Sequence, residues 1–181
     1  MAVLAGDALL TDAFSMLASV AIPGVDLAAA VGVLSECAGS HGMVGGQVLD
    51  MLSGERACTE QEILDIQTRK TGALLNAACA LGVLAGKGTE IQMQAACGFA
   101  ALIGLAFQIR DDMLDVIGSA EVLGKATGAD DGKNTFVRLY GLDACEARIR
   151  RDTDLAIAQL GVFPDASYLM ELARRLTVRV A

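Results

Sequence analysis

The chain contains no tryptophan and one histidine, and aromatic residues make up only 4% of its 181 residues. Hydrophobic residues nevertheless account for 54% of the sequence, which exceeds the usual share for a globular protein. Ala, Leu and Val supply most of them, beside 20 glycines. Small apolar side chains of this kind are typical of closely packed helices. The length favours one domain covering residues 1–181.

Other absences exclude whole classes of function. The net charge is −8 and no basic stripe occurs, which argues against a nucleic-acid surface. No CxxC motif occurs, so the odd, dispersed set of cysteines is typical of reduced packing residues in a cytoplasmic protein. The N-terminus has no basic region before its apolar residues, so no signal peptide is predicted. The cysteines are Cys37, Cys58, Cys79, Cys97 and Cys145.

No segment shows sustained strand-like alternation, whereas nearly every segment has helical spacing, so the fold class is all-α. Capping boxes at Thr59/Glu62 and Thr89/Gln92 open two long helices, which should form an antiparallel hairpin around the turn at Lys87. A long non-periodic stretch covers residues 119–135, as functional loops often do. The two hairpin helices are predicted at 59–85 and 89–117, the second closed by Gly118. The other predicted helices are 7–19, 27–38, 42–52, 142–160 and 169–180.

The most informative motif follows the apolar run Cys97 to Phe107, which reads as a buried helix. Asp111 and Asp115 are four residues apart and share a helix face, with Asp112 about 100° away. Like charges in such a place repel unless a cation lies among them. Carboxylate oxygens in this arrangement suit Mg2+ that carries phosphate oxygens. The alternative is a solvated polar helix end.

Lysines and polar groups elsewhere could complete a diphosphate site. Lys70 lies about 17 residues before the turn and Asp111 about 24 after it, an axial offset on the order of 10 Å, so both could line one cavity. Gln47 and Asp50, three apart, are predicted to share an inward face. Gly45 and Gly46 just before them weaken the helix, so we expect close backbone contact with a neighbour there. Lys125 and Lys133 follow the acidic cluster and could grip a diphosphate. The alternative for Lys70 is a surface position, with its charged end in water. The alternative for Lys125 and Lys133 is that they only neutralise the aspartates in surface ion pairs.

A membrane protein is the least favoured alternative. Mean hydropathy is +0.49, and residues 91–109 contain no charged side chain over nearly the length of a span. Three glutamines interrupt that run, however, and two aspartates follow it at once. Buried core helices explain it better, so no membrane span is predicted.

The order of these motifs is more specific than any one of them. It runs Gly45-Gly46-Gln47-x-x-Asp50, Lys70-Thr71-Gly72, Phe107-Gln108-x-x-Asp111-Asp112-x-x-Asp115, Gly124-Lys125, and Gly132-Lys133-x-Thr135. Over essentially the whole chain it resembles the trans-isoprenyl diphosphate synthases (polyprenyl synthetases), and most of all the short-chain farnesyl and geranylgeranyl diphosphate synthases. Terpene cyclases share the fold, but these motifs fit chain elongation better.

The resemblance implies an isoprenoid synthase-type helical bundle around a deep cavity, usually in a homodimer. It implies a prenyltransferase that ionises an allylic diphosphate with the help of Mg2+ and joins it to isopentenyl diphosphate. Asp111, Asp112 and Asp115 would form the second aspartate-rich motif, with Asp111 a direct ligand of the metal. The other roles are diphosphate binding by Lys70, Lys125 and Lys133, cation stabilisation by Thr71 and Gln108, and orientation of metal-bound water and substrate by Gln47 and Asp50.

One departure from the family concerns the N-terminal side. The family's first aspartate-rich motif and its basic residues for isopentenyl diphosphate should precede the Gly6-Asp7 helix, and only five residues do. The chain therefore resembles the C-terminal portion of the fold, N-terminally truncated. We expect little prenyltransferase activity from it alone, and self-association through bared apolar faces. The alternative function is a non-catalytic subunit or remnant that binds a partner.

Overall fold

The computed structural model describes residues 1–19, 22–54, 56–123 and 134–178, and its regular elements are all helical. Besides α-helices, they include a π-helical segment, Thr68–Gly72, and a 3-10 turn, Leu160–Val162. The predicted all-α class is confirmed. The α-helices are α1 (Ala2–Ser19), α2 (Leu27–Ala38), α3 (Met43–Ser53), α4 (Glu60–Gln67), α5 (Ala73–Ala85), α6 (Glu90–Leu123), α7 (Phe136–Gln159) and α8 (Ser167–Val178).

The predicted helical hairpin is present. Its first arm runs from α4 through the π-helical segment into α5, and its second arm is α6, which packs along α5. Thr59 and Glu62 form the capping box that begins α4. Thr89 and Gln92 exchange the same pair of hydrogen bonds where α6 begins, at 2.9 and 3.3 Å. Both arms therefore begin where their capping residues satisfy the first free N–H groups.

The described part of the chain is organised around α6. Residues of α6 contribute to two apolar clusters, which lie at different heights along that helix. Their burial removes apolar surface from water, which is the main force that fixes α6 between its neighbours. One cluster contains Cys58, Ile63, Ala106, Ile109, Met113, Phe136, Cys145 and Ile149, and the other contains Phe99, Ile103, Ala156, Leu160 and Ala173.

Several predicted helix ends were wrong. Helix α1 begins at Ala2, not Asp7, and α7 begins at Phe136, before a break at Gly141 where φ is +77°. Gly118 does not close α6, which continues to Leu123, so the first residues of the predicted loop are helical. Glycine ends a helix when it adopts positive φ, and Gly118 is not among the glycines that do.

Helix α1 differs from the others because none of its residues is fully buried. Three of its residues, Leu10, Phe14 and Leu17, are half-buried and mark the side that faces α2. By length and composition, three described stretches could cross a membrane: Ala2–Ser19, Leu27–Ser53 and Glu90–Gly118. The expectation that no helix spans a membrane remains a prediction.

Candidate functional site

Close packing of α3 against the π-helical segment forms one side of the site. A Cβ built on Gly46 would lie 2.3 Å from the backbone nitrogen of Lys70, so only glycine allows this approach. The contact brings Asp50, one turn further along α3, to the Lys70 side chain, where Nζ and Oδ2 are 2.6 Å apart. Both side chains are roughly 40% exposed, so this ion pair is accessible to a ligand. The predicted close contact at Gly46 is confirmed, and Lys70 has a partner.

The π-helical geometry includes both Lys70 and Thr71. A π-helical turn holds an additional residue, which changes the direction of the side chains around it, and such turns occur often at functional sites. Arg69 in the same turn is held by Asp65, with Nε and Oδ1 2.8 Å apart. The turn presents Lys70 to Asp50 of α3 and Thr71 to Gln108 of α6. Residue spacing contains no signal of this irregularity.

A chain of hydrogen bonds connects the two arms of the hairpin. The Thr71 hydroxyl donates to Gln108 Oε1 at 3.0 Å, and the Gln108 amide donates to Asp112 Oδ1 at 3.2 Å. The glutamine amide is thereby fixed in one orientation, with an oxygen toward Thr71 and a nitrogen toward the carboxylate. Thr71 thus contacts the acidic helix at Gln108, whereas the prediction that Lys70 and Asp111 line one cavity remains a prediction.

The three aspartates on α6 have different environments. Asp112 is buried, Asp111 is half-buried and Asp115 is exposed. The buried carboxylate therefore shares a helix face with Gln108, and the pair Asp111–Asp115 lies on the outer side of that face. Within the described residues, no three histidine, cysteine or acidic side chains converge closely enough to hold a metal ion by themselves.

This donor set fits Mg2+ that arrives with a diphosphate. Magnesium in proteins is usually held by one or two carboxylates together with phosphate oxygens and water, and a closed cage of protein ligands is unnecessary. Asp111 and Asp112 are adjacent on α6 and half-buried or buried, so their oxygens can serve such a complex. Whether they hold a metal remains a prediction.

Arg110 explains the orientation of the acidic motif. Its Nε donates to the Thr177 carbonyl of α8 at 2.7 Å, and its NH2 lies 2.7 Å from Glu146 Oε2 of α7. The Arg110 side chain is only 11% exposed. Charge-assisted hydrogen bonds of this type fix geometry well. They hold one side of α6 against α7 and α8, while Gln108 on another side of α6 meets Thr71 of the π-helical segment. Residue spacing did not indicate this role of Arg110.

The structure corrects the prediction for Gln47. Its side chain is exposed, so it does not point inward. The inner side of α3 has Gly46 and Ser53 buried with Asp50 half-buried between them, and Gln47 lies about 60° from Asp50 and about 100° from Gly46. Its predicted role in binding remains a prediction. Helical spacing of three residues was a weaker guide here than the glycine contact with Lys70.

The two loop lysines, Lys125 and Lys133, lie outside the described residues, so their roles remain predictions. The residue that follows them is fixed. Asn134 Oδ1 accepts from the Cys58 backbone N–H at 2.9 Å, and its amide donates to the Arg56 carbonyl at 2.9 Å. Thr135 then caps α7. Asn134, which the sequence analysis did not single out, thus holds the start of α7 beside the start of α4.

A cavity of about 420 Å3 is lined by Gly72, which follows Thr71 in the chain, and by Leu105, one turn before Gln108. Its walls come from the end of α2, the π-helical segment, α5 and α6. Burial raises the pKa of the Cys37 and Cys97 thiols in its lining, so both stay protonated and weakly nucleophilic. Neither Cys37 nor Cys97 is therefore an activated cysteine, and the cavity is a candidate for binding rather than for cysteine chemistry.

Comparisons with known proteins identify relatives of this chain. Geranylgeranyl pyrophosphate synthase 7 of Arabidopsis thaliana is 43% identical over 149 residues, covering 79% of this chain and 43% of the relative. The FPP/GFPP synthase of Zymomonas mobilis superposes with a TM-score of 0.83 at 34% identity, covering 97% of this chain and 60% of that one. A Helicobacter pylori geranyltransferase complexed with magnesium and isoprenyl diphosphate gives 0.77 at 29% identity, covering 97% and 58%.

The chain spans about half the length of the curated relatives it matches. The fold is that of the isoprenoid synthases, over part of the solved chains. The sequence profile of the polyprenyl synthetases matches residues 1–159, which is most of the chain. This match, the relatives and the fold together show that the chain belongs to the polyprenyl synthetase family.

Proposed function

We propose that this chain supplies the diphosphate-binding wall of a prenyltransferase that joins an allylic diphosphate to isopentenyl diphosphate. The substrates are those that the resemblance implies, and one solved relative is complexed with magnesium and isoprenyl diphosphate. The observation that carries the proposal is the hydrogen-bond chain from Thr71 through Gln108 to Asp112 beside the Asp50–Lys70 pair. In this chain the Thr71 hydroxyl and the Gln108 amide oxygen follow Lys70, the cation, and precede the buried carboxylate of Asp112.

Each part of this arrangement has a use in ionising an allylic diphosphate. Bound Mg2+ would neutralise the charge that grows on the leaving diphosphate, with Asp111 and Asp112 as its protein ligands. Lys70 would donate to a diphosphate oxygen. The oxygens of Thr71 and Gln108 would face the carbon from which the diphosphate departs, where positive charge develops. Dipoles fixed before the reaction stabilise this charge without having to reorganise.

The proposal is tested by measuring the binding of a non-hydrolysable allylic diphosphate analogue by calorimetry, with and without Mg2+. We expect Mg2+-dependent binding that weakens at least tenfold in Asp112→Asn, because a buried ligand oxygen is lost. The matched control is Asp143→Asn, which removes an exposed carboxylate from α7 and should leave binding unchanged. Equal binding by the wild-type chain and Asp112→Asn would contradict the assignment of the site.

Turnover by the chain alone is a separate question, since the chain spans only about half of its relatives' length. We expect little incorporation of radiolabelled isopentenyl diphosphate, because one wall cannot surround the substrate and exclude water. Normal turnover by these 181 residues would show that this wall is sufficient.

The second candidate function is a non-catalytic subunit that binds a partner or a second copy of itself. The exposed apolar side of α1 favours it, since Leu9 and Met16 lie on one face of the helix and are 71% and 68% exposed. Apolar patches of this kind seek partners. We propose a dimer in the cytoplasm and expect Leu9→Glu to weaken self-association about tenfold, measured by light scattering. A wild-type chain that stays monomeric at high concentration would argue against this assembly.

A further inference from the structure

The cavity lined by Gly72 and Leu105 continues along both arms of the hairpin. On α6 its lining residues are Leu105, Ala101 and Cys97, which follow Gln108 toward the start of that helix. On the other arm, which runs in the opposite direction, the lining begins at Thr68 and Arg69 and continues through Gly72 to Asn76. Beyond Gly72 and Leu105, both arms therefore lead from the Thr71–Gln108 hydrogen bond toward the turn of the hairpin.

Helix geometry gives the depth of each position. At 1.5 Å per residue, Leu105, Ala101 and Cys97 lie roughly 5, 10 and 16 Å beyond Gln108. Asn76 lies roughly 7 Å beyond Thr71 on the same scale. A substrate whose reacting carbon lies between Thr71 and Gln108 would extend its hydrocarbon tail past these residues in this order.

Asn76 is a polar residue in the wall of a cavity that would hold a hydrocarbon tail. Its Oδ1 is buried and has no hydrogen-bond partner among the described residues. Ala73, Ala101 and Leu105 of the same lining have no side-chain donor, and the lining residues that do have one, such as Thr68 and Arg69, do not bond to this oxygen. Buried amide oxygens are nearly always paired, because desolvating an unpaired oxygen is unfavourable. A donor inside the cavity, such as a water molecule, would satisfy this carbonyl.

We propose that Asn76 limits the length of the prenyl tail that this cavity accepts. The inference rests on the proposed function, since it concerns the tail of the same substrate. A hydrocarbon that passes Asn76 displaces the donor from its carbonyl and offers nothing in exchange. A tail that ends before Asn76 leaves that donor in place. An extended isoprene unit advances roughly 5 Å, since its four chain bonds are each about 1.5 Å long. The second unit is therefore the first to meet the amide.

The test compares tails of one, two and three isoprene units on the wild-type chain and on Asn76→Leu. Leucine has a similar size and no polar atom, so it removes the unpaired carbonyl and largely preserves the cavity. The ligands are non-hydrolysable prenyl diphosphate analogues with Mg2+ and, in a second series, prenyl alcohols of the same lengths. Dissociation constants are measured by calorimetry, and circular dichroism establishes that the variant is folded.

In the wild-type chain, adding the second unit should raise affinity less than threefold. In Asn76→Leu, the same addition should raise it about tenfold or more, since burying apolar carbon is then unopposed. Affinity for the one-unit ligand should be the same in both proteins. If Asn76→Leu is unfolded, Asn76→Ala serves as the second variant, with the same expected change in the effect of tail length.

Cys79→Val is the matched control. Cys79 lies on α5 less than one turn beyond Asn76, but it lines a different cavity, between α5, α6 and α8. Its replacement also exchanges a polar atom for an apolar group, and it should leave the length profile unchanged.

The outcomes separate the two proposals. Identical length profiles in the wild-type chain and Asn76→Leu, with both ligand series, would overturn the role of Asn76. Absence of diphosphate binding, with a length profile for the alcohols that still changes in Asn76→Leu, would instead refute the proposed diphosphate site. In that case the assignment of Asn76 to a hydrocarbon tail would stand.

Discussion

Helices α1 and α6 are both long and apolar enough to span a membrane by composition, yet their surroundings differ completely. Helix α6 contributes to both apolar clusters, whereas α1 has no buried residue. Hydrophobicity alone therefore does not decide where a helix lies. The apolar side chains of α6 form the core that orients Gln108 and Asp112, and those of α1 form an apolar surface that is available for another contact.

The largest expected difference concerns the removal of apolar atoms from each helix. Ile109→Ala in α6 should lower the free energy of unfolding by about 2 to 5 kcal/mol, because it leaves a cavity in a well-packed core. Ile109 is 1% exposed, whereas Leu9 in α1 is 71% exposed. Leu9→Ala should therefore change stability by less than about 0.5 kcal/mol. Urea unfolding at low protein concentration measures both, and a Leu9→Ala cost comparable to that of Ile109→Ala would show that α1 is buried in an assembly.

Glycines provide a second comparison of the two regions. Gly46→Ala forces a methyl group against the Lys70 backbone and should cost about 2 kcal/mol or more, with loss of the Asp50–Lys70 geometry. Gly6 in α1 has nothing within 4 Å of a built Cβ. Gly6→Ala should instead stabilise the protein by about 0.5 to 1 kcal/mol, since alanine favours the helix. Thermal unfolding distinguishes the two signs, and destabilisation by Gly6→Ala would indicate a close neighbour of α1.

The hairpin could be predicted because its signals are local. The capping residues Thr59 and Thr89 act within one turn, and apolar spacing identified the buried helices. The glycine contact at Gly46 was also foreseen, because two glycines inside a helix need a reason. These features depend on neighbours in sequence, so they are visible without the fold.

The environment of each acidic residue could not be predicted. Asp112 is buried because Arg110 ties the other side of α6 to Thr177 and to Glu146 of α7, and these partners are distant in sequence. The spacing emphasised Asp111 and Asp115, whereas the structure pairs Gln108 with Asp112. The π-helical segment and the exposure of Gln47 likewise depend on packing between helices, which periodicity does not report.

Threonines allow a smaller test of the same contrast. Thr71→Val removes the donor to Gln108 Oε1 and should cost about 1 kcal/mol, because it leaves a partly buried acceptor unpaired. Thr11 in α1 donates to the Asp7 carbonyl within its own exposed helix. Thr11→Val should change stability by less than about 0.5 kcal/mol. A double-mutant cycle of Thr71→Val with Gln108→Leu isolates the interaction, and a coupling energy of zero would mean that the two side chains do not act together.

The smallest effect is expected at the start of α4, which has ionic capping that α1 lacks. A hydrogen bond from Arg56, followed by hydrogen bonds from Thr59, lowers the pKa of Glu62 from 4.5 to about 2. A lowered pKa means that the ionised form stabilises the folded state, fully above pH 4.5 and progressively less as pH falls toward 2. Glu62→Gln should therefore be less stable than the wild type near pH 6 and equal to it near pH 2, as measured by urea unfolding across this range. Arg56→Gln removes the largest cause of the lowered Glu62 pKa and should reduce the pH dependence of stability in part. If the stability difference between wild type and Glu62→Gln is the same at every pH, the carboxylate does not stabilise α4 by its charge.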